Sequence, residues 1–304
     1  MILSFPIGAY IVFNTDIGRD INYEYPLEGL DFFVAGINVE IPIGFELGDA
    51  FIVLWCVYVV IFAIAIFGSK KSFFGELVPI MNDGKYRDAN YMVSAIRWFA
   101  VLVLVSAIIN IAQESVGIIT EPPIAQNDLI QFFDITKAPI IEELGFRVLL
   151  IGVILYLAYS HKTSARHFFK SLWHPHKNLH IFNNKKAILL IIAVSILFGL
   201  AHIISGEPWS NGKFAQAAAG GIIIGWAYFR HGFVAALLIH WATNYFIFSY
   251  VHLVSSINMV SIDVAFSHSM LQTFEIIFII AGIISAALMI IHKIDSKRQK
   301  ALEA

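Results

Sequence analysis

Three apolar segments carry polar side chains at helical spacing. "EELGFR" places Glu142, Glu143 and Arg147 near the start of a run, Ala138 to Tyr159, that is otherwise apolar. "FGLAH" puts His202 four residues after Phe198, and "HWATN" puts Asn244 four residues after His240. A charged side chain near the bilayer centre costs about 2.5–3.5 kcal/mol on insertion scales, so such residues are functional candidates by default. Residues i and i+4 share a helix face, about 5–6 Å apart at Cβ. Glu143 can therefore pair with Arg147, acid before base. Glu142 is rotated about 100° from it and is left to face something else. Singly, each group has a packing explanation: a buried ion pair, an interfacial histidine, inter-helical glue at His240 and Asn244. Together, one uncommitted carboxylate, two imidazoles and an amide make an active-site inventory. There is no GxSxG, no HExxH, and Cys56 is remote from every motif. Without a nucleophile, a Glu and His pair is suited to activating water, with Asn and His donors for an oxyanion. The chemistry this supports is hydrolysis of a carbonyl substrate, a peptide bond in the first instance.

The elements that must hold these groups are membrane helices. Of the 304 residues, 58% are hydrophobic and only 14% charged, with mean hydropathy +0.75; soluble domains carry about 25% charge. The fold class expected is all-α, a polytopic membrane protein of about seven to eight transmembrane helices. Apolar runs predict spans near 50–67, 92–112, 138–159, 187–205, 216–230, 232–252 and 272–292. A segment at 2–13 is too short to span comfortably and reads as a short or re-entrant helix. "RHG" at 230–232 predicts a tight turn, making 216–252 a helical hairpin. Three regions follow: 1–49, a short helix and an acidic extracytoplasmic segment; 50–292, the membrane domain with its motif core at 138–252; and 293–304, a basic cytoplasmic tail. Residues 14–49 hold eight acids (Asp16, Asp20, Glu24, Glu28, Asp31, Glu40, Glu46, Asp49) against Arg19, whereas the 160–186 loop holds six Lys/Arg and no acid. Basic loops stay cytoplasmic, which puts 68–90, 160–186, 230–232 and the tail inside. The histidines of that loop (His161, His167, His174, His176 and His180) have no regular ligand spacing and read as solvated or headgroup-facing. Gly221 and Gly225, at GxxxG spacing, read as close packing within the fold. A net charge of −2 points to no nucleic-acid partner.

The three motifs, in order on three helices, resemble the EExxxR, FxxxH and HxxxN/D motifs of the CAAX prenyl endopeptidase family, the Rce1-like and CPBP (Abi) membrane proteases. The resemblance covers residues 138 to about 252. It implies an eight-helix intramembrane protease without a cofactor, in which Glu142 is the general base and His202 its partner on the water. His240 and Asn244 would form the oxyanion site. Glu143 and Arg147 would order the motif helix, and Phe198 would pack under His202. A zinc site at Glu142, His202 and His240 is a minority alternative. The partners implied are the lipid bilayer and a peptide or protein substrate, prenylated or not. This orientation places the site nearer the outer face, and residues 14–49 match no part of the family; they read as an outer cap or substrate gate. Two other classes stand beside the protease: a catalytically inactive binding or bacteriocin-immunity-type protein, and a proton-coupled transporter. The polar groups cluster at one site and form no file across the membrane, which disfavours the transporter.

Overall fold

The computed structural model describes residues 4–15, 26–34, 37–68, 71–83, 90–120, 128–181, 183–204 and 210–302; Asp16, Arg19, Asp20, Glu24 and Glu121 lie outside them. The chain opens with α1 (Ser4–Asn14), then strands β1 (Pro26–Val34) and β2 (Ile37–Glu46), then α2 (Leu47–Phe67). The membrane body is all-α, as its composition requires; the hairpin is the one β element among the described residues. It is antiparallel, pairing Val39 with Phe32 and Ile41 with Leu30, with a register break between Leu27 and Gly29. Val39, Ile41 and Phe45 alternate along β2 and are exposed. The short α3 (Phe73–Asp83) precedes α4 (Tyr91–Ser115). The fifth helix starts as α5 (Asp128–Glu142), passes into a π-helix (Glu143–Val153) and ends as α6 (Ile154–Tyr159). Short α7 (Ala165–Trp173) and α8 (Pro175–Leu179) lead to α9 (Lys185–Ile204) and α10 (Lys213–His231). Then come α11 (Phe233–Trp241), a π-turn segment (Ala242–Phe246), α12 (Ile247–Asn258), α13 (Ile262–Phe266) and α14 (Ser269–Leu302).

A helix occupies each expected span. Among the described residues five are long and apolar enough to cross a membrane: Leu47–Phe67, Tyr91–Ser115, Lys185–Ile204, Phe233–Asn258 and Ser269–Asp295. Eleven residues of α1 rise only about 16 Å at 1.5 Å each, short of a bilayer. The helix leans on the body instead: Tyr245 Oη donates to the Phe5 carbonyl at 3.0 Å and accepts from Trp55 Nε1 at 3.1 Å. The fifth helix begins ten residues earlier than its apolar run suggests. Asp134 and Lys137 neutralise each other at 2.7 Å, and Tyr58 Oη donates to the Thr136 carbonyl at 2.8 Å, so the polar first turns stay helical. Glu142 therefore ends a 15-residue α-helix rather than lying a few residues into its span.

The α10–α11 hairpin turns at Gly232, whose φ of +90° and 2.7 Å Cβ approach to the Trp173 carbonyl only glycine tolerates. Trp98 Nε1 donates to His231 at 3.1 Å, and Arg230 donates to His176 Nε2 at 2.6 Å. The start of α4, the 160–184 connection and the 230–232 turn thus meet on one face. At the opposite face Gln113 of α4 donates to the Gly212 carbonyl at 2.7 Å. Gly221 and Gly225 are packing glycines, as expected: a Cβ there would sit 3.0 Å from Ser195 and 2.9 Å from Ile191 on α9. The core is aromatic, built on Phe51, Tyr58, Phe99, Phe132, Trp241 and Tyr245. Outward positions on α2 and α14, such as Val57, Val60, Ile280 and Ile284, are apolar and exposed, as lipid contact demands. Cys56 is exposed on α2 within that surface.

Candidate active site

The EELGFR motif lies where α5 changes into the π-helix. Pro139 has no N–H to give, which weakens the preceding turn. The HWATN motif also ends in a π segment, Ala242–Phe246. Such i→i+5 segments are rare and concentrate at functional sites. Glu143 is completely buried and Arg147 is 1% exposed, with Nη1 at 3.4 Å from Oε1. The pairing that the i,i+4 spacing predicts is present, and Glu142 is turned away from it. Its side chain keeps 22% exposure, on the wall of a cavity.

His240 lies between the two glutamates. Its Nδ1 is 2.8 Å from Glu143 Oε1, and its Nε2 is 3.6 Å from Glu142 Oε2. Glu143, facing Arg147, acts as acceptor, so the network assigns the His240 Nδ1 as N–H donor. That directs Nε2 at Glu142. Sequence spacing placed His240 with Asn244; the fold adds a glutamate on each side of the ring. Thr243 donates to the His240 carbonyl at 2.7 Å, and Thr243 and Asn244 both line the cavity.

His202 Nδ1 is 2.8 Å from the Phe198 carbonyl. Its N–H is thereby committed one turn back, which leaves Nε2 as the acceptor. Phe198 does more than pack under His202. Its ring meets His202 edge-on with centroids 4.6 Å apart, meets His240 at 6.0 Å, and carries the Arg147 guanidinium over its face at 4.2 Å. One aromatic ring thus fixes the relative positions of three polar side chains from three helices.

Glu142, His202, His240 and Asn244 line one cavity of about 610 Å³. Its remaining wall is largely apolar, with Phe99, Leu102, Phe246 and Phe274 among its residues. Lys213 also lines it. Sequence reasoning missed Lys213 because the apolar window of that helix begins three residues later. Among the described residues no three His, Cys, Asp or Glu side chains form a group able to hold a metal.

Apolar crossing helices around buried Glu143, Arg147 and His240 define an integral membrane protein. Residues 129–246 match the family model described as type II CAAX prenyl endopeptidase, Rce1-like, and this is the segment that carries all three motifs. The match is to this segment and not to the whole chain, and the family it describes is one of proteases. No curated protein and no solved structure matches the chain.

Proposed function

We propose that this protein is an intramembrane endopeptidase that hydrolyses a peptide bond with water activated by Glu142. The observation that carries the reading is one cavity, lined by apolar side chains, in which Glu142, His202, His240 and Asn244 converge from three helices. Glu142 takes a proton from a water that His202 Nε2 also accepts from. The hydroxide adds to the scissile carbonyl, whose oxyanion is met by the Asn244 amide N–H and by the Nε2–H of His240, which takes its second proton from solvent before the cycle and keeps it throughout. Glu143, anchored by Arg147, supports that imidazolium through Nδ1 at 2.8 Å. Glu142 then returns its proton to the leaving nitrogen as the C–N bond breaks, giving an amine and a carboxylic acid. Every proton is accounted for, and no covalent enzyme intermediate forms.

The substrate class is a peptide or protein reached from the bilayer, prenylated or not. The basic 160–186 loop and the 230–232 turn face the cytoplasm under the charge rule. The test of the direct-water step is cleavage in ¹⁸O-water. A single turnover should put one label into the new C-terminal carboxylate, and hydroxylamine should trap no acyl-enzyme. A trapped hydroxamate would overturn the mechanism.

A further inference from the structure

We propose that the basic 160–186 connection is a docking surface for anionic phospholipid, with α7 lying along the headgroups of the bilayer that holds the protein. The inference is independent of the protease reading, and its test needs no substrate.

One stripe of α7 points away from the body. Arg166, Phe169, Lys170 and Trp173 fall within about 100° of one another on a helix of 3.6 residues per turn. All four are exposed, Phe169 at 67%. On the opposite side Ser171 and Leu172 are buried. Contacts from three elements fix that underside. Tyr228 Oη donates to the Leu172 carbonyl at 2.7 Å, and Tyr156 Oη donates to the Lys162 carbonyl at 2.7 Å. The Tyr156 and Phe168 rings meet edge-on at 5.0 Å, and Trp173 meets Phe233 at 5.6 Å. Ser164 Oγ caps the helix by accepting from His167 N at 3.3 Å. The fold therefore sets which way the stripe faces.

Cations and aromatic rings interleaved on one helix face suit the headgroup region, where rings lie at the acyl boundary and charged tips reach the phosphates. The place fits. α7 and α8 join α6, which ends at Tyr159, to α9, which starts at Lys185 and exposes Ile188, Leu189 and Ile192. The charge fits as well. Lys162, Arg166, Lys170, Lys177, Lys185 and Lys186 are all exposed, and residues 160–186 contain no acid. None of the six makes an ion pair among the described residues, so the surface carries cations without counter-charges of its own. A second apolar stripe adjoins it. Phe74, Val78 and Met81, at i, i+4 and i+7 on α3, are exposed. α3 starts on this same face: Asn90, before α4, donates to the Lys71 carbonyl at 3.0 Å, and Ser94 lies 3.3 Å from His231 of the turn.

The experiment is fluorescence quenching in liposomes of phosphatidylcholine and phosphatidylglycerol. A bimane label is placed on Phe169→Cys in a Cys56→Ser background, and the acyl chains of one lipid or the other carry bromine. Brominated lipid should quench the label strongly and aqueous iodide weakly. Brominated phosphatidylglycerol should quench more than brominated phosphatidylcholine at equal total composition. A cation near an anionic leaflet changes local affinity by about fivefold. Adding Arg166→Gln and Lys170→Gln should therefore cut the phosphatidylglycerol preference by about fivefold or more, whereas Arg166→Lys with Lys170→Arg should keep it. Raising salt to about 1 M, where the Debye length is about 3 Å, should erase the preference and leave the bromine quenching in place. Strong iodide quenching with weak bromine quenching would overturn the proposal, since α7 would then face water or another protein. Equal quenching by the two brominated lipids would overturn it too, as would equal loss in the glutamine and the charge-keeping variants.

Discussion

Replacing Arg147 by methionine removes the charge from a completely enclosed pair while keeping much of the volume. Glu143 would remain buried, with His240 Nδ1 at 2.8 Å as its hydrogen-bond partner. Breaking one side of a buried ion pair costs about 3–5 kcal/mol, because the survivor is left desolvated and unpaired. The guanidinium stacked on Phe198 at 4.2 Å adds about 0.5–2 kcal/mol of cation–π attraction, part of which methionine contacts replace. Removing both charges, as Glu143→Gln/Arg147→Met, behaves differently. The glutamine carbonyl can still accept from His240, and no uncompensated charge remains. The double variant should therefore be more stable than the single one, against intuition. At roughly 2–4 °C per kcal/mol for chains of 150–250 residues, the single variant should lose roughly 6–20 °C in Tm, and the double variant should recover most of it. Tryptophan-fluorescence melting in nanodiscs measures both. A single variant within about 1 kcal/mol of wild type, or a double variant less stable than the single, would refute the buried-pair reasoning.

Three further outcomes follow. Gly225→Leu forces a side chain against Ile191, whose Cγ2 already lies 2.9 Å from an added Cβ, and should cost about 1–3 kcal/mol in nanodisc melting. Gly232→Ala must hold a φ of +90° beside the Trp173 carbonyl, and should destabilise by about 1–3 kcal/mol in the same assay. Burial is the main cause that lowers His174, in the 160–184 connection, to about 4, with the charges of Lys177, His231 and His176 adding to it. Its folded value lies below the unfolded one near 6.5, so the unfolded chain binds the extra proton. Stability from this group is complete above pH 6.5 and lost as pH falls towards 4, by at most about 3 kcal/mol. His174→Leu should flatten that slope; an unchanged slope would show that another group titrates.

What could be read from one dimension was what depends on local spacing. Glu143 and Arg147 meet because i and i+4 always share a face, and the Gly221/Gly225 pair packs against α9 as its spacing implies. The 230–232 turn was legible in a glycine. The place of His240 between two glutamates was not, because it depends on how α11 is rotated against the fifth helix and on two π segments that no spacing rule marks. The early start of α5 was hidden because Asp134 and Lys137 precede the apolar run that begins at Ala138, and their mutual neutralisation is visible only in three dimensions. In β2, Ile37, Val39, Ile41 and Phe45 alternate with polar or small residues, a period of two that could have revealed the hairpin within the acidic segment. Lys213 precedes the apolar run of its helix by three residues, so hydropathy alone does not mark it as part of that helix.

The central claim, that Glu142 activates water in an intramembrane protease, is tested most directly by peptide cleavage. Wild type and Glu142→Gln are reconstituted in bilayers and offered a prenylated CaaX peptide and an unprenylated transmembrane peptide, each with and without a zinc chelator. The account predicts cleavage by wild type that survives the chelator and vanishes in Glu142→Gln, whose melting temperature stays at the wild-type value. Full cleavage by a folded Glu142→Gln protein would contradict it.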